Sequence, residues 1–297
     1  MKLVSKALAA VTLAALLPMA PPVEAAQPPA LLASWSTGDI PTGLAIGPDG
    51  KVYVGGQDGG SALVRVFLQD GTPTGLIGAG NGQEAYGLAF LSDGRLLVAE
   101  YYRHVVDQFA PDGTNLGSWA VPGSNDLFLA VDGTDNVFLT DDNGDMVRHF
   151  TSGGALIAQW PSPHPAGIYC LNGLVYVAGM FNGLMSVYDA EGTPQGSFPT
   201  GCTFAEQLGT DGLGNLLLED HGLGQLKCFQ PDGTLLWILG PSVPAYGPGT
   251  CNFFSVALGN GGAILAGDYT NRRVLVLGSQ TTPTAARSWS WLKARYR

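Results

Sequence analysis

Short runs of alternating apolar and polar residues, separated by glycine-centred turns, fill most of this 297-residue chain. A period of two marks half-buried strands, and the turn residues tolerate positive φ. A unit of apolar strand, turn and apolar strand begins six times, at Leu44, Leu88, Leu129, Ile168, Leu208 and Val256, at spacings of 39 to 48 residues. In the first repeat, strands at 43–46 and 52–54 flank Pro48-Asp49-Gly50, and strands at 64–67 and 76–77 flank Asp70-Gly71. The second turn recurs as Ala110-Pro111-Asp112-Gly113, Ser152-Gly153-Gly154, Glu191-Gly192 and Pro231-Asp232-Gly233, each ending four residues after Phe109, Phe150, Tyr188 or Phe229. Asp-Gly and Gly-Gly pairs suit hairpin turns.

Four strands (a to d) per repeat of this length predict propeller blades, because one small sheet cannot bury both faces and must pack on its neighbours. The expected fold is an all-β, six-bladed β-propeller of four-stranded antiparallel blades. The sixth repeat supplies no strand d of its own, and the missing strand is found at the other end. Ala33-Ser34-Trp35 resembles Gly117-Ser118-Trp119 and Ala158-Gln159-Trp160, so residues 31–36 are expected to complete the sixth blade and cover its edge. That matching puts Trp35, Ile77, Trp119, Trp160, Phe198 and Leu239 at one structural position. A β-sandwich or a linear solenoid would also use short strands, but only a closed ring of six consumes them all.

The ends differ from the repeats. Lys2 and Lys6 precede an apolar run at 7–17, then Pro18, Pro21 and Pro22, with Val23 and Ala25 at the small-residue positions of a cleavage site. Residues 1–25 thus read as a secretory signal, too short for a membrane span, and the mature protein is expected in a bacterial periplasm or the medium. Residues 26–279 form the propeller. Residues 280–297 read as a Thr/Pro linker and a basic aromatic tail, in which Trp289, Leu292 and Tyr296 could line one face of a short helix able to touch a surface or membrane. No transmembrane segment is expected, and a monomer is.

The whole chain carries a net charge of −10, with 14 basic and 24 acidic residues. Setting aside six cations and Glu24 in the two ends leaves 8 basic against 23 acidic, a net of −15. Nucleic acid is excluded as a partner, because phosphate recognition needs a basic footprint. Four cysteines in an exported chain permit disulfides. Cys202 and Cys251 lie just before strand a of neighbouring repeats and form the candidate pair; Cys170 fits a small core position, and Cys228 falls in a strand c.

Around Ala266-Gly267-Asp268-Tyr269-Thr270-Asn271-Arg272-Arg273-Val274 the chain resembles the NHL repeat, with an acid after strand b, an Asn-X-Arg step and an apolar strand c. Val98-Ala99-Glu100 with Arg103, His104 and Val105 is similar but lacks the Asn. Gly56 and Gly179 replace the acid in blades one and four, and Gly224-Gln225 stands in place of Asn-X-Arg in blade five. The resemblance implies a binding platform. Related six-bladed propellers include an amidating lyase, an antibiotic lyase and metal-dependent lactonases, so fold does not choose between them.

Candidate chemistry sits where the b–c and d–a loops would share a face. Gly56, Glu100, Asp141, Gly179, Asp220 and Asp268 end the b strands, and Asp39, Glu84, Asp126, His164, Glu206 and Asn252 fall in the loops before strand a. The resemblance implies blade-closing ion pairs for Asp268 with Arg272 or Arg273, and for Glu100 with Arg103. Asp141 and Asp220 have no arginine close behind them. The candidate contacts are therefore Glu100, His104, Asp141, His164, Asp220, His221, Tyr246 and Asp268, with Asp141, Asp220 and Asp268 as metal ligands for Ca2+, or Zn2+ if His164 and His221 converge. Asp141-Asp142-Asn143-Gly144-Asp145 matches a calcium loop in composition only and reads first as a tight turn. The overlong segment 239–256 carries Tyr246, Cys251, Phe253 and Phe254 and is a natural contact loop. The leading expectation is an exported module binding a protein, glycan or small-molecule ligand on its acidic loop face. The alternative is a metal-dependent hydrolase or lyase at the channel mouth.

Overall fold

The computed structural model describes residues 27–57, 63–78, 84–123, 126–240 and 251–278. Blade one is β2 (Pro41–Ile46), β3 (Val52–Gly56), β4 (Val64–Phe67) and β5 (Pro73–Ile77), once β1 (Ala30–Ser36) has gone elsewhere. Blade two is β6 (Ala85–Phe90), β7 (Leu96–Glu100), β8 (Val105–Phe109) and β9 (Asn115–Ala120). Blade three is β10 (Asp126–Val131), β11 (Val137–Asp141), β12 (Met146–Phe150) and β13 (Leu156–Pro161). Blade four is β14 (Pro165–Leu171), β15 (Leu174–Gly179), β16 (Leu184–Tyr188) and β17 (Pro194–Pro199). Blade five is β18 (Ala205–Thr210), β19 (Leu216–Asp220), β20 (Gln225–Phe229) and β21 (Leu235–Leu239). Blade six is β22 (Phe253–Leu258), β23 (Ile264–Asp268), β24 (Arg273–Gly278) and β1. The fold is a six-bladed β-propeller.

Closure follows the expected register, with Trp35 opposite Val274 and Leu31 opposite Leu277. Trp119, Trp160, Phe198, Leu239 and Trp35 each oppose the second residue of their strand c, and Ile77 opposes Val64, the first residue of β4. Their side chains reach the next blade. A Cβ added to Gly154, Gly192 or Gly233 would strike Trp119, Trp160 or Phe198, and one added to Gly71, at φ +86°, would strike Trp35. The first strand of the chain thus makes the interblade contact of any other strand d.

The a strands begin two or three residues before the alternation shows them. Each a–b pair has a register shift at its start, as between Pro41 and Gly43 or Ala205 and Leu208. A bulge puts successive side chains off the period of two, so Thr42 and Glu206 read as loop residues in the sequence but belong to strands. The apolar faces meet between neighbouring blades: Leu97, Val106 and Phe150 join blades two and three, and Leu44, Val54, Leu265 and Val276 join blade six to blade one. No helix among the described residues is long and apolar enough to cross a membrane.

Trp35→Ala should cost about 2 kcal/mol or more in denaturant unfolding, since a packed aromatic is lost. Leu32→Ala, in the same strand but 48% exposed, should stay within about 0.5 kcal/mol. Equal effects would show that β1 closes nothing.

Candidate functional site

Backbone hydrogen bonds bring the b–c and d–a loops together. The residue after strand b donates its N–H to the carbonyl just before strand a: Tyr101 to Glu84 at 3.1 Å, Met180 to His164 at 2.7 Å, His221 to Phe204 at 2.9 Å and Tyr269 to Asn252 at 2.8 Å. One face of the ring therefore carries both loop sets, around the inner strands.

The acids ending the b strands lie under this face, each neutralised by a cation of its own blade. Asp141 Oδ2 is 2.7 Å from Arg148 Nη1, Asp220 Oδ2 is 2.9 Å from Lys227 Nζ, and Asp268 Oδ2 is 2.8 Å from Arg273 Nε. Glu100 Oε1 is 2.9 Å from Arg103 Nη1. The expectation that Asp141 and Asp220 lack a basic partner is corrected: Arg148 and Lys227 sit seven residues on, at the third register position of strand c, across from Leu139 and Leu218. The same carboxylates also organise loops. Asp220 accepts N–H bonds from Thr203, Phe204 and Leu223, and Asp141 accepts one from Gly144 at 2.9 Å. In blades one and four, where glycine ends strand b, other side chains fill the vacated space. The Asp39 carboxylate occupies it above Gly56 and pairs with Arg65 at 3.3 Å, and the Asn182 amide occupies it above Gly179.

A metal centre built on Asp141, Asp220 and Asp268 does not fit this geometry. The three stand on different blades, fully buried, and each is held by a cation that would repel a metal ion. Among the described residues no group of three His, Cys, Asp or Glu side chains is placed to hold one. Blade two varies the theme, with Asp107 where Arg65, Arg148 and Lys227 stand elsewhere. Arg103 serves both carboxylates, and burial, followed by the neighbouring Asp107, pushes the Glu100 carboxyl up to about 8.

All four cysteines are free, which corrects the Cys202–Cys251 pairing. The two thiols occupy equivalent places in successive blades, in separate interblade cores. Each accepts a hydrogen bond from its own blade's cation, Cys202 from Lys227 at 3.5 Å and Cys251 from Arg273 at 3.3 Å. Burial raises both thiols above their ordinary range.

What gathers at the mouth is aromatic. From blade three to blade two the contacts run His164 on Phe181 (5.7 Å), Phe181 stacked on Phe204 (5.2 Å), and Phe204 edge-on to His221 (5.4 Å). His221 meets Phe254 (5.2 Å) and Tyr269 (5.1 Å), which stack on each other at 5.3 Å. Phe254 meets Tyr86 at 5.7 Å, and Tyr86 stacks on Tyr101 at 5.0 Å, followed by Tyr102. Phe181 and Phe204 stand between His164 and His221, so the two histidines do not converge as a zinc site would need. His164 instead belongs to the Asp142 turn, Nδ1 lying 3.2 Å from Asp142 Oδ1. His104 takes positive φ at the turn position shared by Asp145, Gly183, Gly224 and Arg272. Tyr246 lies outside the described residues.

Among the described residues two buried carboxyls have no cation partner. Glu206 is the second residue of β18, at the register position of Tyr86 and Phe254, and only 3% exposed; Glu219 in β19 is fully buried. Neither oxygen of Glu219, nor Oε2 of Glu206, has a hydrogen-bond partner among the described residues. Burial raises both carboxyls well above their ordinary range, Asp142 adding to the effect at Glu206 and Glu206 at Glu219. His221 moves the other way, because burial disfavours its imidazolium. Blade five therefore carries an imidazole biased toward its neutral form and a carboxyl biased toward its protonated form. The sequence signal for this set is positional: Tyr86, Glu206 and Phe254 sit two residues before Leu88, Leu208 and Val256 of strand a, and Tyr101, His221 and Tyr269 one after the strand-b acid, positions that carry no motif.

No protein-family model matches the chain, and no curated protein sequence matches it. Solved structures do. A streptogramin B lyase structure superposes with a TM-score of 0.65 at 12% identity, covering 86% of this chain and all of that one. Virginiamycin B lyase from Staphylococcus aureus gives 0.61 at 13% identity, with 79% of each chain covered. Its catalytically inactive histidine-to-alanine variant with quinupristin gives 0.60 at 12%, again with 79% of each. The likeness is one of fold.

Asp141→Ala should cost about 3–5 kcal/mol, because it strands the Arg148 charge in the interior, whereas Asp141→Leu with Arg148→Met should restore most of the loss. Urea melts of the three proteins decide. A metal ligand would instead give a loss that the double replacement leaves in place. A second test uses the raised pKa of Glu219. Its folded form holds a proton that the unfolded form releases above about 4.5, so this residue's contribution falls as pH rises from there through the folded value. Glu219→Gln should therefore gain stability relative to the parent between pH 4 and pH 8; an unchanging difference would contradict a protonated buried acid.

Proposed function

We propose that the protein is an exported ligand-binding propeller whose site is the aromatic channel mouth formed by Tyr86, Tyr101, Phe204, His221, Phe254 and Tyr269. The continuous ring-to-ring contact across blades four, five, six and two carries this reading. Its ends are open, Phe181 being 58% and Tyr102 62% exposed, and planar apolar groups stack on such surfaces. The ligand class is a small molecule with an aromatic or other flat apolar part. The acids expected to make the loop face a cation-rich site serve instead to hold the blades.

A lyase at the same mouth is the second reading, favoured by one local observation together with the shared fold. A neutral His221 and a protonated Glu206 would supply a base and an acid on one blade, poised by opposite environments. In an elimination the imidazole would take a proton from carbon while the carboxylic acid gives one to the leaving group, with no metal ligand among the b-strand acids.

Binding is tested with 2-naphthylmethanol, a neutral probe followed by its fluorescence. Tyr269→Ala should weaken it at least about tenfold, the scale of one lost aromatic contact, without shifting the urea midpoint by more than the change expected for a half-buried side chain. Unaltered affinity, or no binding to the parent protein, would remove the mouth as the site.

A further inference from the structure

Seven of the eight described Lys and Arg residues are bound to acids away from the mouth floor: Lys51 to Asp49, Arg65 to Asp39, Arg95 to Asp93, Arg103 to Glu100 and Asp107, Arg148 to Asp141, Lys227 to Asp220 and Arg273 to Asp268. None of these seven reaches Glu206 or Glu219. The blades thus neutralise their structural acids one by one and leave a buried, unpartnered carboxyl beneath an aromatic cluster. We propose that the mouth takes an organic ammonium group, held over the Tyr86–Tyr101 and Phe254–Tyr269 stacks with Glu206 as its counter-ion. This deepens the aromatic-mouth reading and rests on it.

Three observations favour that chemistry. Aromatic faces carry negative potential and attract a cation within about 6 Å of the ring centre, more strongly when water is excluded. The mouth rings come in two stacked pairs, joined where Tyr86 meets Phe254 at 5.7 Å, and Glu206 lies within electrostatic reach of Tyr86 and Tyr101. Glu206 itself is buried with Oε2 unpartnered, so a charge arriving above it would find an acceptor that the folded chain leaves unused. A hard metal ion is a poor occupant, because it needs several oxygen ligands and among the described residues no three His, Cys, Asp or Glu side chains are gathered to hold one. An anionic ligand would meet Glu206, Glu219 and Asp142 together.

Binding then shifts Glu206 toward its charged form. The groups facing Glu206 are Asp142, Glu219 and the Tyr86 and Tyr101 phenols, all acidic; with no cation among them the empty site favours the neutral acid. An ammonium above it favours the carboxylate, and the carboxyl proton leaves to solvent while the ligand keeps its own charge.

The experiment compares 2-naphthylmethanol with 2-naphthylmethyl-trimethylammonium, which present the same ring with and without a fixed charge that cannot itself titrate. Calorimetry at pH 7 in two buffers of different ionisation enthalpy should show the cation binding at least about tenfold more tightly, with proton release that the neutral probe lacks. Glu206→Gln should abolish the release and cut the cation's affinity about tenfold; if that variant melts early, the two-buffer comparison on the parent protein stands alone. Equal affinities for the two probes, or cation binding without proton release, would overturn the ammonium proposal and leave the aromatic mouth standing. Failure of both probes to bind would overturn both.

Discussion

The hydrogen bonds between β1 and β24 are the constraint on which the rest of the molecule depends. A ring of blades has no stable form with a gap, since an open ring leaves a bare strand edge and an uncovered apolar face. With Trp35 opposite Val274 and lodged against Gly71, blade six packs on blade one through Leu44, Val54, Leu265 and Val276. Only a closed ring lets Tyr86 of blade two meet Phe254 of blade six at 5.7 Å. The channel mouth is therefore a product of closure and of no single blade.

Within that ring the charged residues divide by role. Carboxylates at the ends of the b strands sit where loop amides and a cation converge; the cation comes from the third register position of strand c in blades three and five, from its first residue in blade six and from the b–c loop in blade two. A glycine in the same place is compensated by Asp39 or Asn182, so the space is filled whichever residue the strand supplies. Such pairs add little net stability against apolar replacements, yet removing one partner is costly; they fix loop geometry. Glu206 and Glu219 stand outside this scheme, and burial without a cation is what gives them a different chemistry.

The architecture was legible because hairpin turns and apolar alternation repeat with the blade, and the matching of Ala33-Ser34-Trp35 to later strands exposed the closure. The site was legible only in position. The loops that share one face are legible in the sequence, but Asp141 and Asp220 read there as ligand contacts because their cations lie across a strand pair, seven residues on. A bulge hid Glu206 at the start of β18, where the period of two fails. Cys202 and Cys251 showed their likeness of position but not the Lys227 and Arg273 contacts that each thiol makes. Ring stacking between blades has no sequence signature, since Tyr86, His221 and Phe254 lie far apart in the chain and meet through the curvature of the whole ring.

The most direct test of a closed ring with an aromatic mouth is a nuclear Overhauser experiment on protein labelled selectively at Tyr and Phe rings. The account predicts cross-peaks between Tyr86 and Phe254 and between Phe254 and Tyr269, which lie 5.7 Å and 5.3 Å apart by ring centres. Cross-peaks for Phe254 with Tyr269 but none with Tyr86, in a folded protein, would contradict it.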